Sequence, residues 1–167
     1  MKPSCIKDSA HPALFTAVRW PKASTPKREH LLKLVTDAVD WPALEETTRP
    51  YYQADVRRTG RRGYSLSMML RCHVLQLLWR MSARQAEHAI MDSHAFAVFV
   101  GTDAWAPRPP SATAMRTFRT LLAGNMTSLG DTLDALVERR LRDDLAAAGL
   151  EFRPGRIEDP VFRRITA

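Results

Sequence analysis

The alternation of apolar and polar positions along the chain centres on one stretch, Ser65–Arg80, SLSMMLRCHVLQLLWR. Wound at about 100° per residue, it places Met68, Met69, Leu70, Cys72, Val74, Leu75, Leu77, Leu78 and Trp79 over most of its circumference. Ser67, Arg71, Gln76 and Arg80 leave only a thin polar stripe, and His73 interrupts the apolar surface. A helix apolar nearly all round belongs in the middle of a fold. Sixteen residues carrying two arginines are too short and too charged to span a bilayer. His73 reads as a packed or capping residue of this helix, not as a catalytic base.

The remaining segments read as elements that cover this helix. Met1–Pro26, with prolines at 3, 12, 21 and 26, predicts an extended arm partly anchored by Leu14, Phe15, Val18 and Trp20. Leu31, Leu34, Val35 and Ala38 predict a helix over Lys27–Asp40. Pro42 suits the first position of a shorter helix that runs to about Tyr52, with Pro50 limiting it. Arg57-Arg58-Thr59-Gly60-Arg61-Arg62-Gly63 reads as a basic loop leading to Ser65, the N-cap of the central helix. Ser82 and Gln85 form a capping-box pattern at the start of the next helix, and a short apolar segment, Ala95–Val100, ends at Gly101. WAPRPP, from Trp105 to Pro110, predicts a rigid connector; Ser111 then caps a helix to about Leu122. A last helix is expected over Ser128–Ala148, with Leu129, Leu133, Leu136, Val137, Leu141 and Leu145 inward and Gly149 ending it.

The fold class is therefore all-α: a single compact helical domain of about six helices over residues 27–149. An extended N-terminal arm over 1–26 and a short irregular C-terminal tail over 150–167 flank it. A chain of 167 residues, 45% hydrophobic, suffices for one core of this kind.

Charge sharpens the picture through its distribution. Ten arginines and three acids (Glu87, Asp92, Asp103) lie between Arg57 and Arg119, an excess equal to the net +7 of the whole chain. A local excess made of arginine alone favours a phosphate-bearing partner, because guanidinium binds phosphate in bidentate fashion. Cys5 and Cys72, far apart and unpatterned, read as reduced thiols. The first ten residues hold Lys2, Pro3, Lys7 and Asp8 without the apolar core of a signal peptide. A cytoplasmic protein with no membrane segment is expected.

The helix after Ser111 carries the most specific candidate chemistry. Met115, Phe118 and Leu122 share one side; Thr113, Arg116, Thr117 and Thr120 share the opposite side, with Arg119 on the flank. Arginine can read guanine bidentately, and threonine offers a methyl to thymine and a hydroxyl to phosphate or a base edge. A helix seated in the major groove needs such a face. Its place after the Ser82 helix resembles an elaborated helix-turn-helix with a long connector. Arg57, Arg58, Arg61 and Arg62 are the second candidate contact, for the DNA backbone or a narrow minor groove. His88 and Asp92 stand at i, i+4 near Glu87 and His94, but without a second matched pair no metal site is expected, and no cofactor motif is present.

The series GRRGYSLSMMLRCHVLQLLWRMSARQAEHAIMDSHAFAVFVG followed by PPSATAMRTFRTLL resembles the N-terminal helical region of IS-five-like bacterial insertion-sequence transposases. The landmarks are Arg62-Gly63-Tyr64, Met69-Leu70-Arg71-Cys72-His73, Met81-Ser82 and Thr113 through Phe118-Arg119, with Trp41 and Tyr51-Tyr52 upstream. The resemblance spans about Trp41 to Asp159. It implies a DNA-binding and assembly region that precedes an RNase H-like domain with an Asp-Asp-Glu metal triad. Asp159 aligns with the first acid of that triad as a vestigial match only, and residues 150–167 with the linker and first strand of the catalytic domain. Glu158 and Pro160 depart from the strand pattern, and one aspartate cannot hold a two-metal site. The expected function is double-stranded DNA binding, at element ends, by a transposase-derived protein without transposition activity of its own. The alternative is an interaction or regulatory module that binds a full-length transposase or another partner. A homodimer would suit inverted repeats.

Overall fold

The computed structural model describes residues 27–59, 63–102, 108–127, 130–153 and 161–164. Among these are seven helices: α1 (Lys27–Ala38), α2 (Trp41–Thr59), α3 (Leu66–Trp79), α4 (Ala83–Asp92), α5 (His94–Val100), α6 (Ala112–Gly124) and α7 (Leu133–Ala147). The all-α expectation holds over them. The N-terminal arm lies outside the described residues.

Helix α3 occupies the centre, with α2, α4, α5 and α6 packed directly on it. Leu70, Cys72, Val74, Leu75 and Leu78 are fully buried, and Trp79 meets Phe96 of α5 edge-on at 5.0 Å. Each such aliphatic side chain contributes about 1.5–3 kcal/mol by leaving water. Ser65 Oγ accepts the Met68 N–H at 3.3 Å to start the helix. Arg80 ends it in the left-handed region at φ 49°, alone among the described non-glycine residues. Burial pushes the Cys72 thiol up to about 12, so this sulfur packs as an apolar atom.

The outer helices close the core with stripes set by their sequences. The inward positions are Leu32 and Val35 of α1 and Val39 just after it, so Leu32 takes the fully inward place expected of Leu31. Asp40 Oδ1 accepts the Ala43 N–H at 3.1 Å and opens α2, while the Asp40 N–H donates to Asp144 of α7 at 3.0 Å. Helix α2 does not stop at Pro50 but runs through it to Thr59. A proline inside a helix forfeits one backbone hydrogen bond. Here the turn beyond it is held by Tyr52, whose hydroxyl donates to Tyr64 O at 2.5 Å and whose ring meets Phe118 edge-on at 5.7 Å.

Local capping signals decide most of the other boundaries. Ser82 Oγ accepts the Gln85 N–H and the Ser82 N–H donates to Gln85 Oε1, a complete capping box for α4. Gly101 closes α5 at φ 89°, and Ser111 Oγ accepts the Ala114 N–H to open α6. The expected start of the last helix at Ser128 is five residues early. A turn through Gly130 (φ 85°) precedes α7, and Thr132 Oγ1 caps it by accepting from Ala135 N at 3.2 Å. Leu133, Val137, Leu141 and Leu145 form its buried stripe, and Gly149 follows it in the left-handed region as expected; Leu129 lies outside the described residues.

The C-terminal tail is not irregular throughout. Leu150–Arg153 (β1) and Val161–Arg164 (β2) pair antiparallel, with Leu150 opposite Arg164 and Phe152 opposite Phe162, and β1 adjoins α7. Two four-residue strands do not alter the helical class.

Candidate nucleic-acid interface

Helix α6 is positioned by Met115, Phe118 and Leu122, all buried, with the Phe118 ring between Tyr52 of α2 and His73 of α3. The side chains of Thr113, Arg116, Thr117, Arg119 and Thr120 are exposed, as the wheel requires. The Thr117 and Thr120 hydroxyls donate back to the Thr113 and Arg116 carbonyls, both at 3.0 Å. Each hydroxyl donor is thereby used within the helix, so what the threonines turn outward is an acceptor oxygen and a methyl. Arg116 reaches Thr113 Oγ1 only at 3.5 Å, at the limit of a hydrogen bond. Its guanidinium remains the principal donor of this face.

Arg119 turns away from that face. It lines a cavity of about 370 Å³ together with His73, Arg80, Ser82, Glu138 and Arg142, which come from α3, the α3–α4 junction and α7. No sequence pattern joins these residues. His73, 2% exposed, stands with Nε2 at 3.0 Å from Asp134 Oδ1, but neither atom makes a hydrogen bond of good alignment and His73 Nδ1 has no partner. Even as an off-line contact, His73 holds the Asp134 carboxyl below the usual carboxylate range, helped by the positive charge of Arg119 and opposed by partial burial. The His73 expectation, a packed residue, holds.

The basic loop is corrected in part. The backbone of Arg57 and Arg58 continues α2 and does not belong to a loop, because that helix survives Pro50. Their side chains, and Arg61 and Arg62 entirely, lie outside the described residues, as does Asp159. Arg71, on the polar stripe of α3, points inward. Its Nη1 donates to Phe99 O at 3.0 Å, and its guanidinium carbon lies 4.4 Å from the Trp41 ring centroid. Desolvation lowers its pKa while Glu45 pulls it back up. Among the described residues, no three His, Cys, Asp or Glu side chains come together to hold a metal ion. No described helix is long and apolar enough to cross a membrane.

Buried hub, capped satellites and an arginine–threonine face on α6 define a compact helical domain with a basic surface helix. The chain belongs to the family described as "Transposase domain (DUF772)", whose profile matches residues 21–121, more than half of its length. The match takes in α1 to α5 and most of α6, beginning upstream of Trp41 and stopping before α7. No curated protein and no solved structure matches the chain.

Proposed function

We propose that this transposase-derived domain binds double-stranded DNA, with α6 in the major groove as the second helix of an elaborated helix-turn-helix whose first helix is α4. The observation that carries the reading is the exposed, acid-free face of α6, opposite the buried Met115, Phe118 and Leu122. Arg116 reads a base edge, Thr113, Thr117 and Thr120 supply methyl and acceptor contacts, and Arg119 meets a phosphate. Arg57, Arg58, Arg61 and Arg62 engage the backbone or minor groove. The assigned role is recognition of the ends of an IS-five-like element, in dimeric form on inverted repeats, with no strand cutting by these residues.

Selection of bound sites from random duplexes tests this. A sequence motif is expected from the wild-type chain and an altered or relaxed one from Arg116→Ala. An unchanged motif removes α6 from the groove. Exposed Met91 and Val98, 67% and 57% accessible, favour a second reading in which the domain docks on a full-length transposase or another protein. Absence of any selected motif would favour it.

A further inference from the structure

The cavity beside α6 is built for an anion, and the geometry points to a seat for one phosphate group there, formed by Arg80, Arg119 and His73. Its lining carries three guanidinium groups against one carboxylate, Glu138. Glu138 is already engaged: Arg142 donates to its Oε1 through Nε at 3.3 Å and Nη2 at 2.6 Å. The Arg80 and Arg119 guanidinium groups, in contrast, make no hydrogen bond or salt bridge with any described residue, Arg119 acting on the Asp134 carboxyl only from a distance; Arg80, the C-cap of α3, and Arg119 of α6 line one opening. Two like charges brought to one concave site raise each other's energy, and an anion between them removes that cost.

The floor supplies the second argument. The His73 side chain is 3% exposed, and its Nδ1 is buried without a partner. A buried polar atom left unsatisfied is unfavourable. The Nδ1 atom itself is covered, so a phosphate in this space lies against the imidazole while its oxygens accept from the two guanidinium groups. Ser82, the N-cap of α4, stands on the rim, so the positive end of that helix borders the same space.

The inference rests on the proposed DNA reading in taking a backbone phosphate of the duplex as the occupant. It extends the footprint from α6 across to the α3–α4 junction. Free inorganic phosphate shares the chemistry and is separated by the test.

The full chain is titrated in two arms: with a short fluorescent duplex over a range of salt, and with inorganic phosphate while the His73 imidazole signals are followed by NMR. Arg80→Gly is the test variant, since glycine fits the left-handed backbone at φ 49° and the fold is retained. Arg84→Ala, an exposed position of α4 outside the cavity, is the control. In the duplex arm, Arg80→Gly is expected to flatten the salt slope by about 1 relative to Arg84→Ala. In the phosphate arm, the His73 signals are expected to shift saturably in the control and not in Arg80→Gly. If duplex binding is strong, the two variants share one slope and phosphate leaves His73 unmoved, the seat is wrong and the α6 reading stands. If the duplex is not bound but phosphate moves His73 saturably, the seat holds for free phosphate and the DNA reading falls.

Discussion

Helices α3 and α6 are nearly equal in length, 14 and 13 residues, and each opens on a serine whose hydroxyl accepts from the third residue of the following turn. Their surroundings divide them. Around α3 the other helices leave almost nothing for water, whereas α6 surrenders one stripe to the core and keeps the opposite side bare. Substitution at α3 therefore reports on folding. On the bare side of α6 it reports on whatever that side touches. The contrast separates scaffold from surface within one domain and predicts that stability and binding can be perturbed independently.

The largest effect is expected from Leu75→Ala, which empties a fully buried position of α3. A loss of about 2–5 kcal/mol in urea unfolding follows from the lost contacts and the cavity left behind. A loss below about 1 kcal/mol would mean that α3 is not the centre of packing. Arg116→Ala is expected to leave unfolding within about 0.5 kcal/mol while costing about 1–3 kcal/mol of discrimination between duplexes. Parallel losses in both measurements would erase the distinction between the two helices. Ser111→Ala removes the cap of α6 and costs about 1 kcal/mol of stability, read from the same unfolding curves. Smaller still, Arg80→Gly relieves the left-handed backbone and raises stability by roughly 0.5 kcal/mol. A decrease would show that the Arg80 side chain contributes more through packing than its backbone costs.

A pH dependence ties the two helices together, because Asp134 meets His73 of α3 and feels Arg119 of α6. The folded pKa of Asp134 is depressed, so its contribution is present above the unfolded carboxylate value of about 3.9. It is lost as pH falls from there through the lower folded value. Asp134→Asn is expected to flatten the acid limb of stability against pH in that window; an unchanged limb would deny the contact any energetic role.

Sequence made legible what is local. Ser65, the Ser82–Gln85 box, Ser111, Gly101 and Gly149 each act within a few residues of themselves, and each behaves as its pattern predicts. The inward and outward sides of α6 were also readable, since one periodicity fixes both. Features that depend on distant partners were not. Pro50 reads as a stop until Tyr52 is seen against Phe118, and the inward position of Arg71 depends on Trp41 and Phe99 from two other helices. The cavity that joins Arg80, Arg119 and Arg142 has no signature in one dimension, because its residues span the chain from α3 to α7. The strand pairing of the tail is illegible for a related reason: four-residue strands are too short for alternation to stand out.

Arg71 has a consequence for how the charge of this domain is felt from outside. Stacked on Trp41 and bonded to the end of α5, it works as an internal bolt, and its field is spent on a carbonyl and an aromatic face. The arginine-rich middle segment thus projects less potential than its composition implies. A lysine at position 71, with no planar group to lie on the indole, would keep the formal charge and lose the fastening. Counting cations along a chain measures its supply of charge; only burial tells how much of that supply reaches the solvent.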